Sequence, residues 1–261
     1  MNYKDFFKGK KITLMGLGIL GRGVNVAKFL AECGAELTIT DLKTEEQLQS
    51  SLKKLKKFSN IKYVLGKHEL ADFRDKVMIV KSAGVPLDSP FIAEAIKNNI
   101  PIEMDASLFA KLAKNVLIVG ITGTRGKSTV THLIYDIIKN SGKRVYIGGN
   151  VKGLATLPLL KKVKSNDIIV MELDSWQLQG FADAKISPNI AVFTTFLPDH
   201  QNYYKNDMDK YFSDKANIYR WQKDGDRFIT GLRVAKFVKN NDKGGGRGQM
   251  IIAEKKTAWR T

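Results

Sequence analysis

Two glycine-rich turns, each set between a strand-like run and a helix-like run, constrain this chain more than any other feature. The first is Gly16-Leu-Gly18-Ile-Leu-Gly21, after an apolar run at residues 11–15 and opening a helical period at 20–33. The second is Gly120-Ile-Thr-Gly123-Thr-Arg-Gly126-Lys127-Ser128-Thr129, after residues 116–119 and opening a helical period at 127–140. Such turns let the backbone approach a phosphate closely, and the helix start offers unpaired N–H groups to it. Each turn needs its own first strand, so the chain reads as two domains with a boundary near Lys114. The remaining pattern alternates short apolar runs (36–40, 61–65, 77–80, 100–103, 144–147, 167–173, 190–194, 227–230) with helical ones (45–58, 90–97, 106–113, 208–222). Alternation of that kind predicts an α/β fold. A Rossmann-like domain is expected over 1–114 and a P-loop domain over 115–231, with parallel sheets and helices on both faces.

Composition narrows the partners without choosing one. A hydrophobic share of 43% excludes wholesale disorder, and 261 residues suit two domains. The excess of 43 Lys+Arg over 26 Asp+Glu favours anionic partners: nucleotides, nucleic acid or a membrane surface. The single cysteine, Cys33, excludes an intrachain disulfide and a thiolate metal cluster, and its helical setting suggests a buried thiol. No apolar run approaches the ~18 residues of a membrane span, and the start lacks the apolar core of a signal peptide. A cytoplasmic chain without membrane insertion is expected. Residues 232–261 concentrate Arg233, Lys236, Lys239, Lys243, Arg247, Lys255, Lys256 and Arg260 around the Gly244-Gly-Gly-Arg-Gly248 run. That stretch is expected to be a basic, poorly ordered tail.

In the first turn, glycines permit close approach to a diphosphate, and Asp41 ends the next strand, where it can accept a hydrogen bond from a ribose or base. Alone, this weak motif reads by default as a nicotinamide dinucleotide site, with a tight turn without ligand as the lesser alternative. The second turn is more specific, although Ile121 replaces the first glycine of the strict P-loop pattern. Lys127 can neutralise β/γ-phosphate oxygens, and Ser128 can offer a hydroxyl to Mg²⁺. Glu172 lies near the C-terminal end of a predicted strand, and Asp199-His200 follows the next one, so both face the ligand end of a parallel sheet. His68 is expected on a surface loop and His132 in helix packing. Lys215, on a predicted helix, would ordinarily be surface charge.

Together these residues resemble the Mur ligase family, ATP-dependent enzymes that add amino acids to the UDP-muramyl precursor of peptidoglycan. The family's TGTxGK[ST] loop stands here as Thr122-Gly-Thr-Arg-Gly-Lys-Ser128, its metal-binding glutamate as Glu172, its DH pair as Asp199-His200, and its carbamylated lysine as Lys215. Arg125 departs from the usual Asn. The first turn with Asp41-Leu42-Lys43, together with Lys81-Ser82-Ala-Gly84-Val-Pro86, is most similar to the branch that adds D-glutamate to UDP-N-acetylmuramoyl-L-alanine. In that branch the first domain binds UDP and no nicotinamide.

The resemblance implies ATP and Mg²⁺ as cofactors and an acyl phosphate intermediate. It implies catalytic roles for Lys127, Glu172, His200 and Lys215, with ATP held by Gly123, Thr124, Arg125, Gly126, Lys127, Ser128 and Thr129. The UDP substrate would meet Gly18, Ile19, Leu20, Asp41, Leu42, Lys43, Ser82, Gly84, Asn150, Ser175 and Gln177. Mg²⁺ would take Ser128, Glu172, His200 and a carbamylated Lys215.

The resemblance runs from about residue 8 to 231. The expectation is therefore an incomplete central domain without the family's amino-acid-binding third domain. Such a chain would be a monomer that binds ligands but does not ligate alone. Another Mur-type ligase with a different amino acid, and a non-catalytic nucleotide-binding module, remain open alternatives. Nucleic-acid binding is disfavoured because the lysines are scattered and no aromatic-rich basic sheet motif is present.

Overall fold

A computed structural model describes residues 2–242 and 246–253, which form two compact units. The first unit takes residues 1–114 and also 148–163; the second takes 115–147 and 164–261. The first unit's main segment ends at residue 114, and it takes in an excursion of 16 residues, 148–163, that the sequence pattern did not indicate.

In the first unit, α1 (Tyr3–Phe7) precedes β1 (Lys11–Met15), α2 (Arg22–Glu32), β2 (Glu36–Asp41), α3 (Glu45–Lys53) and β3 (Ile61–Leu65). Then follow β4 (Met78–Lys81), α4 (Pro90–Lys97), β5 (Ile102–Glu103) and α5 (Asp105–Leu112). The sheet order is β3-β2-β1-β4-β5, with every pair parallel. Consecutive residues of β1, β2 and β4 are buried, the mark of strands covered on both faces. Met15, Phe73, Ile79, Ile92, Ala95 and Ile100 build one core layer. Cys33 is buried at the end of α2, and burial pushes its thiol up to about 11, so it is a packing residue.

The second unit runs β6 (Leu117–Thr122), α6 (Lys127–Asn140), β7 (Val145–Gly149, its last two residues already in the excursion), β8 (Ile168–Glu172), α7 (Ser175–Ala184) and β9 (Ile190–Phe193). It continues through α8 (Gln201–Tyr204), α9 (Met208–Ala216), β10 (Arg227–Gly231), α10 (Leu232–Asn241) and β11 (Gln249–Ala253). The sheet order is β11-β10-β9-β6-β8-β7. With β6 central, the turn after it stands between the ends of β8 and β9, where an open parallel sheet binds ligands. The helix predicted over 208–222 stops at Ala216, because the Asn217 side chain donates to the carbonyls of Ser213 and Asp214.

The poorly ordered tail expected from residue 232 needs correction. Residues 232–241 are helical, with Val234, Ala235 and Val238 buried on one face, and β11 pairs with β10 in register. The glycines there serve close approach rather than freedom. A Cβ on Gly246 would lie 2.2 Å from the Tyr219 carbonyl oxygen, and one on Gly248 would lie 2.3 Å from the Gln222 amide oxygen. Lys243, Gly244, Gly245 and residues 254–261, counted in the same expected tail, lie outside the described residues. Among the described residues no helix is long and apolar enough to cross a membrane.

Candidate functional site

The second unit's glycine turn is held by the end of β9. Gly123 has φ +144°, and a Cβ there would lie 2.0 Å from Thr194 Oγ1, so only glycine fits. Thr124 N donates to Thr195 O (2.7 Å), Arg125 N to Thr195 Oγ1 (2.8 Å), and Thr194 Oγ1 to Arg125 O (2.6 Å). Thr124 Oγ1 bonds Leu197 and lies 3.4 Å from the Tyr211 hydroxyl. Gly126 adopts φ +85° and starts α6 with no side-chain cap, leaving the first-turn N–H groups uncapped by any N-cap side chain. Gly120 has a different reason to be glycine: a Cβ there would meet Pro188 at 2.3 Å.

Two lysine amines converge on this turn. Lys127 Nζ donates to Gly123 O (3.0 Å) and Thr124 O (3.3 Å), while Lys215 Nζ donates to the same Gly123 O (3.0 Å). Lys215 is 1% exposed, which corrects the surface charge its sequence alone suggested. Burial, reinforced by the Lys127 charge, drives its ammonium down to about 7 against the pull of Asp174, Asp199 and Asp214. Its Nζ stands 4.9 Å from the centre of the Tyr211 ring, and His200 packs on that ring at 5.9 Å and on Trp176 at 4.7 Å. Thus Tyr211 is the shared neighbour of Thr124, Lys215 and His200. Glu172, 5% exposed, ends β8 opposite Ile121, one strand from the base of the turn.

Among the described residues no group of three His, Cys, Asp or Glu side chains is placed to hold a metal. Ser128 at the start of α6 and Glu172 offer hard oxygen donors instead. That sparse set fits Mg²⁺, which binds through one or two carboxylates plus phosphates and keeps its water.

Ser175 and Gln177, expected at the UDP substrate, are buried at 0% and 2% exposure. Gln177 closes a capping box with Asp174, which accepts from Gln177 N at 2.7 Å. His132 is exposed rather than packed, with Nδ1 2.8 Å from Ser128 O.

In the first unit, the glycine turn is pinned by an acid. Asp41 Oδ2 accepts from Gly18 N (2.9 Å) and Oδ1 from Lys43 N (2.9 Å), so both oxygens of this expected ligand group already hold backbone. Ser82 Oγ donates to Gly16 O (2.6 Å), and Ser51 Oγ to Gly18 O (3.0 Å). Gly23, which the motif reading passed over, faces Leu17 O at 2.1 Å from its would-be Cβ. Around this turn Ile19, Leu20 and Leu42 are 56%, 72% and 67% exposed, apolar surfaces on which a planar group can lie. Lys43 and Gly84 are exposed, and Asn150 is half-buried on the excursion. His68 is half-buried rather than on the surface. It lies 2.6 Å from Thr40 Oγ1 and edge-on to Phe73 and Phe91, and burial holds its imidazolium below the usual range.

Thr194, Thr195, Tyr211 and Arg22 were not singled out in the sequence. A Thr-Thr pair closing the strand after Glu172, and a cation in a helix's first turn, were the available signals.

The family model for the Mur ligase middle domain matches residues 121–259, and that for the MurD-like N-terminal domain of Mur ligases matches residues 10–103. The former extends past Gly231, where the sequence resemblance was expected to fade. The UDP-N-acetylmuramoylalanine–D-glutamate ligase of Borreliella burgdorferi is 40% identical over 234 residues, 89% of this chain and 50% of that protein. The enzyme of that name from Acetivibrio thermocellus is 31% identical over 256 residues, 98% of this chain and 53% of that protein. The chain spans about half the length of the curated relatives it matches. Among solved structures, a UDP-N-acetylmuramate:L-alanyl-γ-D-glutamyl-meso-diaminopimelate ligase from Neisseria meningitidis superposes with a TM-score of 0.58 at 14% identity. That match covers 93% of this chain and 77% of the other. The UDP-N-acetylmuramate–alanine ligase of Thermotoga maritima gives 0.53 at 23% identity, covering 89% and 51%. These two likenesses support the fold.

Proposed function

Because this chain belongs to the Mur ligase family, we propose that it serves peptidoglycan precursor synthesis in the ATP-dependent joining of D-glutamate to UDP-N-acetylmuramoyl-L-alanine. The observation that carries the reading is Lys215, a buried amine at about 7 that shares the Gly123 carbonyl with Lys127. At neutral pH much of that amine is uncharged and nucleophilic. It can add carbon dioxide: an N–C bond forms, a proton leaves, and a carbamate anion replaces a cation. That is the modified lysine the family resemblance implies.

In the proposed reaction the γ-phosphoryl of ATP passes to the substrate's terminal carboxylate, releasing ADP and leaving an acyl phosphate. The amine of D-glutamate attacks the acyl carbon, and the tetrahedral intermediate expels phosphate to leave the amide. Two anions must meet in the first step, so positive charge and N–H dipoles do most of the work. Lys127 and the uncapped start of α6 would hold the β/γ-phosphates, and Gly123, Thr124, Arg125, Gly126 and Thr129 would shape the loop around them. Ser128 and Glu172 would hold Mg²⁺, with His200 and carbamylated Lys215 supporting a second ion; the metal supplies neutralisation of phosphate charge. The first unit would bind the UDP end through Gly18, Ile19, Leu20, Leu42, Lys43, Gly84 and Asn150, with Asp41 and Ser82 shaping its turn.

Titration calorimetry should show the chain binding both ATP–Mg²⁺ and UDP, with Lys127→Ala weakening ATP at least about a hundredfold and leaving UDP unchanged. With ¹³C-bicarbonate, a carbamate carbonyl resonance should appear and be lost in Lys215→Ala. No ATP binding and no carbamate signal would sink the reading.

A further inference from the structure

Arg22 opens α2, and a cation in a helix's first turn is opposed by the helix dipole. Its guanidinium is engaged instead by the excursion at residues 148–163, which belongs to the same unit. Nη2 donates to Gly149 O (3.1 Å), Asn150 Oδ1 (3.1 Å) and Val151 O (3.3 Å), and Nε donates to Leu154 O (3.0 Å). One turn along α2, Asn25 Nδ2 donates to Gly153 O at 3.4 Å. The first turn of α2 therefore faces the loop 149–154, and the Gly153 carbonyl lies 4.0 Å from where Gly21 would carry a Cβ.

The far side of that loop is fastened as well. Gly149 N donates to Thr156 Oγ1 (2.8 Å), while Thr156 N and Leu157 N donate to the two oxygens of Asp105 (2.8 and 2.7 Å). Lys161 pairs with Glu32 at the other end of the excursion. These bonds have two chemical consequences. All four hydrogen-bond acceptors of Arg22 are neutral, so the guanidinium is held by dipoles, with the buried Asp105 close enough to feel its charge. Accepting from the guanidinium fixes which way the amide faces, turning the Asn150 oxygen to Arg22 and leaving its NH₂ as the donor on the other side.

We propose that Arg22 is a positioning residue for a UDP-linked substrate: it fixes the 149–154 loop over the first glycine turn, orients the Asn150 NH₂ as a donor, and adds positive charge for the diphosphate. The proposal rests on the reading of the first unit as the UDP-binding one. Nη2 meets three of the acceptors and Nε the fourth, Leu154 O, so lysine, with one nitrogen, cannot span both positions of the planar fork.

The test is titration of the full chain with UDP and with UMP. Arg22→Met should weaken UDP about tenfold and UMP less, as expected for loss of one charge-assisted contact. Asn150→Ala should weaken UDP too, and should add little in the Arg22→Met background because the two act as one unit. Arg22→Lys should resemble Arg22→Met in this coupling while restoring part of the UDP-over-UMP preference. Glu32→Gln loosens the same excursion at its other end; it should lower the melting temperature and leave UDP affinity unchanged. Multiplying effects of Arg22→Met and Asn150→Ala, or wild-type UDP affinity in Arg22→Met, would overturn the proposal while leaving the domain reading intact. A wild-type chain that binds no UDP would remove the domain reading and the proposal together.

Discussion

The two glycine turns use opposite chemistry to hold the same kind of backbone. In the first unit a carboxylate, Asp41, accepts the N–H of Gly18, and the surrounding side chains Ile19, Leu20 and Leu42 are apolar and exposed. In the second unit the hydroxyls of Thr194 and Thr195 brace the turn, and the amines of Lys127 and Lys215 meet on one of its carbonyls. An acid inside the first turn lowers its appeal to a dense negative charge, and the flanking apolar side chains suit a ligand with a planar group. The second concentrates positive charge, as a triphosphate requires. Both helices that follow begin at a left-handed glycine without a side-chain cap, so the difference lies in the bracing groups.

The largest test of this contrast is Lys215. Its ammonium is held near 7 in the folded state against an ordinary 10.5, so the folded state alone bears the cost of a buried charge below pH 7. The penalty is full below the folded value and fades as pH rises to the unfolded one, so stability climbs between pH 7 and 10.5. Lys215→Met should abolish that climb, worth up to about 5 kcal/mol. Denaturant melts of both proteins at pH 6 and pH 9 capture about 3 kcal/mol of it; parallel curves would break the contrast.

Next in size is glycine substitution. Gly123→Ala places a Cβ against Thr194 Oγ1 and Thr195 N, so a loss of about 3 kcal/mol is expected. Gly18→Ala meets nothing within 4 Å and bears only the left-handed backbone at φ +63°, about 1 kcal/mol. Equal melting temperatures for the two variants would contradict the different bracing.

The smallest effect is Asp41→Asn, which keeps one acceptor and loses the charge. UDP affinity should fall several-fold and stability by about 1 kcal/mol, with ATP affinity untouched. Loss of ATP binding in that calorimetry would mean the turns are not independent.

Much of the second turn was legible in the sequence because its chemistry is local. Gly123, Gly126, Lys127 and Ser128 lie within six residues, and the strand before them and helix after them follow from apolar period. Lys215 was legible only through family resemblance, since nothing in its neighbours announces that the helix buries it beside Tyr211. Asp41 and Gln177 were read as groups for a ligand, yet the folded chain engages them in hydrogen bonds of its own. A motif identifies a hydrogen-bonding group without saying whether the protein already uses it. The stretch after residue 232 was misread for a related reason: glycine suggests freedom in a linear sequence and close approach in a folded one, as at Gly246 and Gly248 against Tyr219 and Gln222.

By itself the sequence determined the two parallel α/β units and their glycine turns. These depend on periodicity and on short spacings, which a single chain displays openly. Only the tertiary structure decided that residues 148–163 join the first unit, because their fasteners, Arg22, Asp105 and Glu32, lie some 50 to 130 positions away along the chain. Only folding, too, brought the Lys215 ammonium down to about 7, because its pKa follows from burial and a second lysine's charge, neither of which is written beside it.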